Sequence, residues 1–183
     1  SGSEFIARAL EFCATKYVDD LLDYEELDKY IDVVSAANEF LITNVVPDFV
    51  SLADLRYILT SLIREKISIK DIVFIFEKIN DFAEESAKSD LINKIRLSLS
   101  RKICNANKNE DGVICAFEIS DKTMDKFVPN FEEGDDSIVR INAAFAEKFA
   151  NKLKKKAIEL NITEPKLLVP IEFRQLMFTL LSN

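Results

Sequence analysis

The chain has 183 residues, 48% apolar and 31% charged, with three glycines, no histidine, no tryptophan and a net charge of −8. Without histidine there is no Ser-His-Asp or Cys-His nucleophile, no histidine zinc site and no histidine proton relay. Three glycines nearly exclude a glycine-rich nucleotide loop, and an acidic chain repels phosphate backbones, so no nucleic-acid role is expected.

Ser1 to Phe5 reads like the translation of adjacent cloning sites, so the native piece is expected to begin near Ile6, inside a longer parent. From Ile6 to Leu22, apolar Ile6, Leu10, Cys13, Tyr17 and Leu21 recur at helical spacing. A second helix is expected from Tyr24 to about Phe40, with Leu27, Ile31 and Val34 on one face. Pro47 marks a break, and Ser51 is placed to cap a third helix carrying Leu52, Leu55, Ile58, Leu59, Leu62 and Ile63. Ser68, with Asp71 three residues on, reads as the cap of a fourth, with Ile72, Val73, Phe76 and Ile79 as its stripe. A fifth runs from about Asp90 to Cys104.

The pattern changes at Asn105. A polar turn to Gly112 precedes Val113 to Ile119, which reads as a buried strand. A short helix to about Phe127, a loop through Pro129 to Asp136, and a long helix from Ser137 to Leu160 follow. Lys166 to Val169 reads as a short strand, and Pro170 sits at the first turn of a last helix, Ile171 to Leu181. The expected fold is therefore mostly α: an all-helical subdomain over 6–106, then a small α/β subdomain over 107–183. Two short strands leave edges unpaired, so the sheet is expected to be incomplete and to lack its last strand. Apolar runs reach about five residues, against the roughly 18 a membrane span needs. Three cysteines, Cys13, Cys104 and Cys115, form no CxxC pair, which fits packing in a reducing compartment better than a reactive thiol.

A family resemblance rests on residues 45 to 103. The stretch reads Val45-Val46-Pro47-Asp48, Ser51-Leu52, Leu62-Ile63-Arg64-Glu65, Ile67-Ser68-Ile69-Lys70-Asp71 and Ile75-Phe76-Glu77-Lys78-Ile79. Ile95 to Ile103 and Leu167-Leu168-Val169-Pro170 continue it. This resembles the cytosolic domain of the FlhA/SctV family, the export-gate proteins of flagellar and virulence type III secretion. Lys66 stands where the family usually has glycine, and Lys70 where it has arginine; such departures point weakly to a virulence-type member. The resemblance implies a non-enzymatic protein without cofactors, at the cytoplasmic face of the bacterial inner membrane. It implies a membrane-spanning region upstream, a ring-forming helical subdomain, and partners that are other copies, export chaperone-substrate complexes and the ATPase stalk protein.

The candidate sites are these. Arg64, Glu65, Lys70 and Asp71 flank the turn between the two best-matched helices, where the apolar stripes leave them exposed; Arg96 and Arg101 join them on the next. Each is either a solvated charge or a ring contact, where charges fix register. Reversing Arg64 and Asp71 is expected to block export without unfolding. A head-to-tail ring needs two complementary surfaces, so the chain alone is expected to be monomeric. Lys152, Lys154, Lys155 and Lys156 are either cations favoured near a helix C-terminus or a patch for an anionic partner. Asp19, Asp20, Asp23, Glu25, Glu26 and Asp28 read as a solvated acidic corner that also compensates helix dipoles, or as a contact for a basic partner; acid-base catalysis by paired carboxylates would need a pocket and shifted pKa values that the sequence does not show. The alternative function is a calcium-responsive helical module. Asn107, Asn109, Asp111, Gly112 and Glu118 fall at EF-hand positions 1, 3, 5, 6 and 12, although no partner hand is evident.

Overall fold

The computed structural model describes residues 2–43, 46, 49–84, 87–127, 143–163 and 165–181. The Pro47 break, the loop from Pro129 to Asp136 and the start of the helix expected from Ser137 lie outside them. The chain divides into two compact units, Ser1–Ala106 and Asn107–Asn183. No helix among the described residues is long and apolar enough to cross a membrane.

The first unit is helical: α1 (Gly2–Lys16), α2 (Val18–Leu21), α3 (Tyr24–Ala37), α4 (Glu39–Thr43), α5 (Leu52–Arg64), α6 (Ile72–Phe82), α7 (Lys88–Ser98) and α8 (Ser100–Ala106). Its core follows from the 3.6-residue period. Leu55, Ile58, Leu59 and Leu62 of α5 are buried, as are Ile72, Ile75, Phe76 and Ile79 of α6 and Leu91, Ile92 and Ile95 of α7. Leu27 and Val34 of α3 and Leu41 of α4 join the same cluster. Each such side chain stabilises by about 1.5–3 kcal/mol on burial. Ser51 caps α5 as expected: its Oγ accepts from the Asp54 N–H at 3.2 Å.

Four expectations need correction here. The helix over 6–22 breaks at Tyr17, and its stripe lies outside the core: Ile6, Leu10, Cys13, Tyr17 and Leu21 are exposed, and none of the described side chains of α1 is buried. The second helix ends at Ala37, and Asn38 is extended before α4 restarts. Ser68 does not cap α6. Its Oγ accepts from the Lys70 N–H at 3.3 Å in a local turn, and the helix begins after Asp71. The fifth helix is two, because the backbone turns at Leu99 while that side chain stays in the core.

The second unit holds β1 (Phe117–Glu118), α9 (Asp121–Phe127), α10 (Ala143–Glu159), β2 (Leu167–Leu168) and α11 (Ile171–Leu181). The strands pair in parallel, Phe117 opposite Leu167 and Glu118 opposite Leu168. The strand expected over 113–119 shrinks to two residues and is not buried: Val113, Ile114 and Cys115 are exposed. Cys104 is exposed as well, so none of the three cysteines is the buried hydrophobe its sequence setting suggests. Phe127 anchors this unit. It is fully buried and meets Phe145 and Phe149 edge-on, with ring centroids 4.8 and 4.9 Å away.

Two helices stop in the same way. After α5, Lys66 takes φ 58°, its N–H donates to Ile63 O at 2.8 Å, and the Ile67 N–H donates to Leu62 O at 2.9 Å. After α10, Asn161 takes φ 53°, with Asn161 N–H to Ile158 O at 3.0 Å and Ile162 N–H to Ala157 O at 2.9 Å. Both are Schellman motifs, and buried Ile67 over Leu62 supplies the accompanying apolar contact. A lysine in this left-handed conformation costs about 1 kcal/mol relative to glycine. Lys66 recovers some of that through an exposed ion pair with Glu11 at 3.2 Å, worth about 0–1 kcal/mol. Lys66→Gly is therefore expected to raise stability by up to about 1 kcal/mol, read as a higher urea midpoint. A lower midpoint would show that the Glu11 pair outweighs the backbone strain.

Candidate partner-binding surfaces

The charges around the α5–α6 turn do not share one fate. Glu65, the C-cap of α5, forms an ion pair with Arg96 of α7, with the two side chains 9% and 20% exposed. Arg64 pairs with Asp19 of α2, and Asp71 pairs with Lys102 of α8. The expectation that all of these charges stand free in solvent is thus corrected: Glu65 and Arg96 lie largely inside the first unit, and Arg64 and Asp71 tie helices together. Lys70 and Arg101 are exposed and have no ion pair among the described residues. The sequence reading missed Lys102 and also Arg56. The Arg56 guanidinium donates to the carbonyl of Asp19 and, from Nε at 2.6 Å, to that of Leu22, holding the end of α2 against α5. No local sequence signal marks such contacts, because their partners lie 31 to 37 residues away.

The acidic corner is partly structural. Asp23 caps α3, with its Oδ1 accepting from the Glu26 N–H at 2.8 Å. Lys29 donates to Glu26 at 2.9 Å and lies 3.8 Å from Glu25. The hydrogen bond to Glu26 raises the Lys29 pKa above its usual value, helped by the surrounding carboxylates.

The loop from Asn107 to Glu118 is built differently from an EF-hand. The Asn109 Oδ1 accepts the backbone N–H of Asp111 at 3.1 Å and of Val113 at 2.8 Å, so this oxygen serves its own turn. Gly112, at φ 78°, makes that turn possible and donates to Asn109 O at 2.9 Å. Glu118, the closing ligand of the motif, lies on β1 opposite Leu168. Among the described residues, no group of three or more Cys, Asp or Glu side chains is placed to hold a metal.

The lysine run of α10 divides by helix phase. Lys152 and Lys156 are one turn apart on the wall of a cleft of about 230 Å³, together with Phe149 and Leu153 and facing Phe117 and Leu167. Lys154 and Lys155 do not line it and are exposed. Lys156 pairs with Glu159 at 3.1 Å; Lys152 has no ion pair among the described residues.

The whole chain, residues 1–183, matches the FHIPEP family. The flagellar biosynthesis protein FlhA of Caulobacter vibrioides is 30% identical over 102 residues, covering 55% of this chain and 15% of that protein. FlhA of Helicobacter pylori is 25% identical over 162 residues, covering 86% of this chain and 22% of that protein. Among solved structures, the C-terminal domain of InvA matches with a TM-score of 0.86 and 18% identity, covering 98% of this chain and 55% of that one. Nonameric EPEC SctV-C matches at 0.78 and 18% identity, covering 97% and 54%. Chlamydia pneumoniae CdsV, solved with CdsO, matches at 0.80 and 20% identity, covering 100% and 55%. At these identities the structural likeness speaks to fold, and the chain spans about half of each solved domain. Matched to the family from end to end, and folded like the C-terminal domains of its secretion members, the chain belongs to the FHIPEP family, the FlhA and SctV export-gate proteins of type III secretion.

Proposed function

We propose that this chain acts in the cytosolic portion of an export gate, at the cytoplasmic face of the bacterial inner membrane. There, copies of the parent form a ring that receives export chaperone-substrate complexes and the ATPase stalk protein. The observation that carries this reading is the whole-chain family match combined with the fold of SctV-C, a relative solved as a nonamer. The CdsV structure with CdsO supports a further protein partner for the same fold. In this reading the helical unit makes ring contacts and the α/β unit faces partners. The work is assembly and docking, in keeping with a sequence that has no histidine for proton transfer.

Within the helical unit, Lys70 and Arg101 are the ring-contact candidates that the structure leaves exposed and without an intrachain ion pair among the described residues. Arg64, Glu65, Asp71 and Arg96 carry intrachain pairs, so reversing them mixes stability with assembly. The double substitution Lys70→Glu with Arg101→Glu in the full parent protein is expected to lower secretion at least about tenfold, through like-charge repulsion between neighbours. The thermal transition of the domain is expected to stay in place. Normal secretion by the folded variant overturns the ring-contact assignment.

A further inference from the structure

The cleft of the second unit combines three properties. Its volume, about 230 Å³, lies below the roughly 300–1,000 Å³ of small-molecule sites and suits a single large side chain. Its apolar surface comes from Phe117, Phe149, Leu153 and Leu167, all half-buried, so water there is readily displaced. Its rim carries Lys152 and Lys156 against one carboxylate, Glu118, in a chain whose net charge is −8. The cationic rim is therefore a local exception to the overall charge.

We infer that this cleft receives a short acidic segment of a partner protein, one large apolar side chain entering between β1 and α10 while its carboxylates meet Lys152 and Lys156. The charge pattern selects this occupant. Lys152 has no ion pair among the described residues. The Lys156–Glu159 pair is about half exposed on both sides and so only weakly held, and an incoming carboxylate exchanges with it readily. Glu118, on β1, repels acid at its own end, which confines the carboxylates of the segment to the lysine side. The hydroxyls of Ser120 and Thr123, 3.0 Å apart on the same wall, keep lone pairs for backbone N–H groups of the segment. A free phosphate would gain the lysines and nothing from the apolar wall. The inference deepens the docking half of the proposed function and rests on it, while requiring no ring.

The test uses the isolated chain and a fluorescein-labelled short peptide of aspartates and glutamates around one phenylalanine, read by anisotropy. Saturable binding with a Kd below about 1 mM is expected. Lys152→Glu with Lys156→Glu should weaken it at least about tenfold, and Lys154→Glu with Lys155→Glu, the same charge change on the same helix, less than about threefold. Replacing the peptide phenylalanine by serine should cost about tenfold. If the glutamate variant loses its thermal transition, Lys152→Gln with Lys156→Gln carries the same comparison. Equal losses in both lysine pairs, equal binding of the serine peptide, or no saturable binding overturns the inference. Stronger binding to phosphatidylglycerol vesicles than to the peptide also overturns it, and assigns the lysines to a lipid surface. Secretion by the Lys70 and Arg101 variant reads the ring separately, so the two proposals fail independently.

Discussion

Phe127→Ala is expected to remove about 3–5 kcal/mol from the second unit, the usual cost of truncating a buried phenylalanine. The two edge-to-face ring pairs lost with it, each worth about 0.5–1.5 kcal/mol, place the effect toward the top of that range. Phe127 is fully buried and makes two such pairs, with Phe145 and Phe149 at interplanar angles of 83° and 82°. A loss of that size rivals the whole stability of a small domain, about 5–15 kcal/mol. Few other side chains in this unit are buried; among the described residues, Ala157 and Met177 are. Hydrogen exchange of the α9 and α10 amides measures the effect, and their protection should collapse. Phe127→Leu, which keeps apolar volume but loses both ring pairs, should cost about 1–3 kcal/mol. A change below about 1 kcal/mol for Phe127→Ala would show that the three rings do not carry this unit.

Arg96→Met is expected to destabilise the first unit by about 2–4 kcal/mol, more than any other single charge deletion around the α5–α6 turn. The reason is burial. Removing the guanidinium leaves the Glu65 carboxylate, 9% exposed, without its cation in a poorly solvated place. The double variant Glu65→Leu with Arg96→Met removes both charges and should return to within about 1 kcal/mol of the starting protein. Asp71→Asn provides the contrast. Its pair with Lys102 is roughly half exposed on both sides and should lose less than about 1 kcal/mol. Chemical unfolding of the three variants gives the comparison. A loss for Arg96→Met no larger than for Asp71→Asn would place Glu65 effectively in solvent.

The parts of this fold that were legible in sequence are those that local physics decides. Helices α5 and α6 announce themselves by period, and Ser51 by its capping position. The break at Leu99 was hidden, because Ile95, Leu99 and Ile103 continue a helical spacing across it while the backbone turns. The apolar spacing of α1 predicted a helix correctly but not its surroundings, since periodicity tells which face is apolar and not what covers it. The strand over 113–119 was overestimated for a related reason. Strand length depends on a partner, and β2, some 50 residues later, offers two paired residues. The candidate site shows the same divide. The lysine run was visible as composition, and helix phase alone could have separated Lys152 and Lys156 from Lys154. The Glu65–Arg96 pair depends on how α5 and α7 approach, which no local pattern encodes.

The uncovered helix α1 bears on how this chain behaves as a colloid. Phe5, Ile6, Leu10 and Phe12 each keep more than half of their surface in water on a helix of fifteen residues. Such a surface is adhesive at close range, and what keeps two copies from reaching that range is their shared charge of −8. That repulsion extends about 10 Å at 0.1 M salt and about 3 Å at 1 M, whereas apolar attraction is not screened. The chain is thus dispersed by its acidity and becomes sticky as the ionic atmosphere tightens, with α1 as the point of first contact.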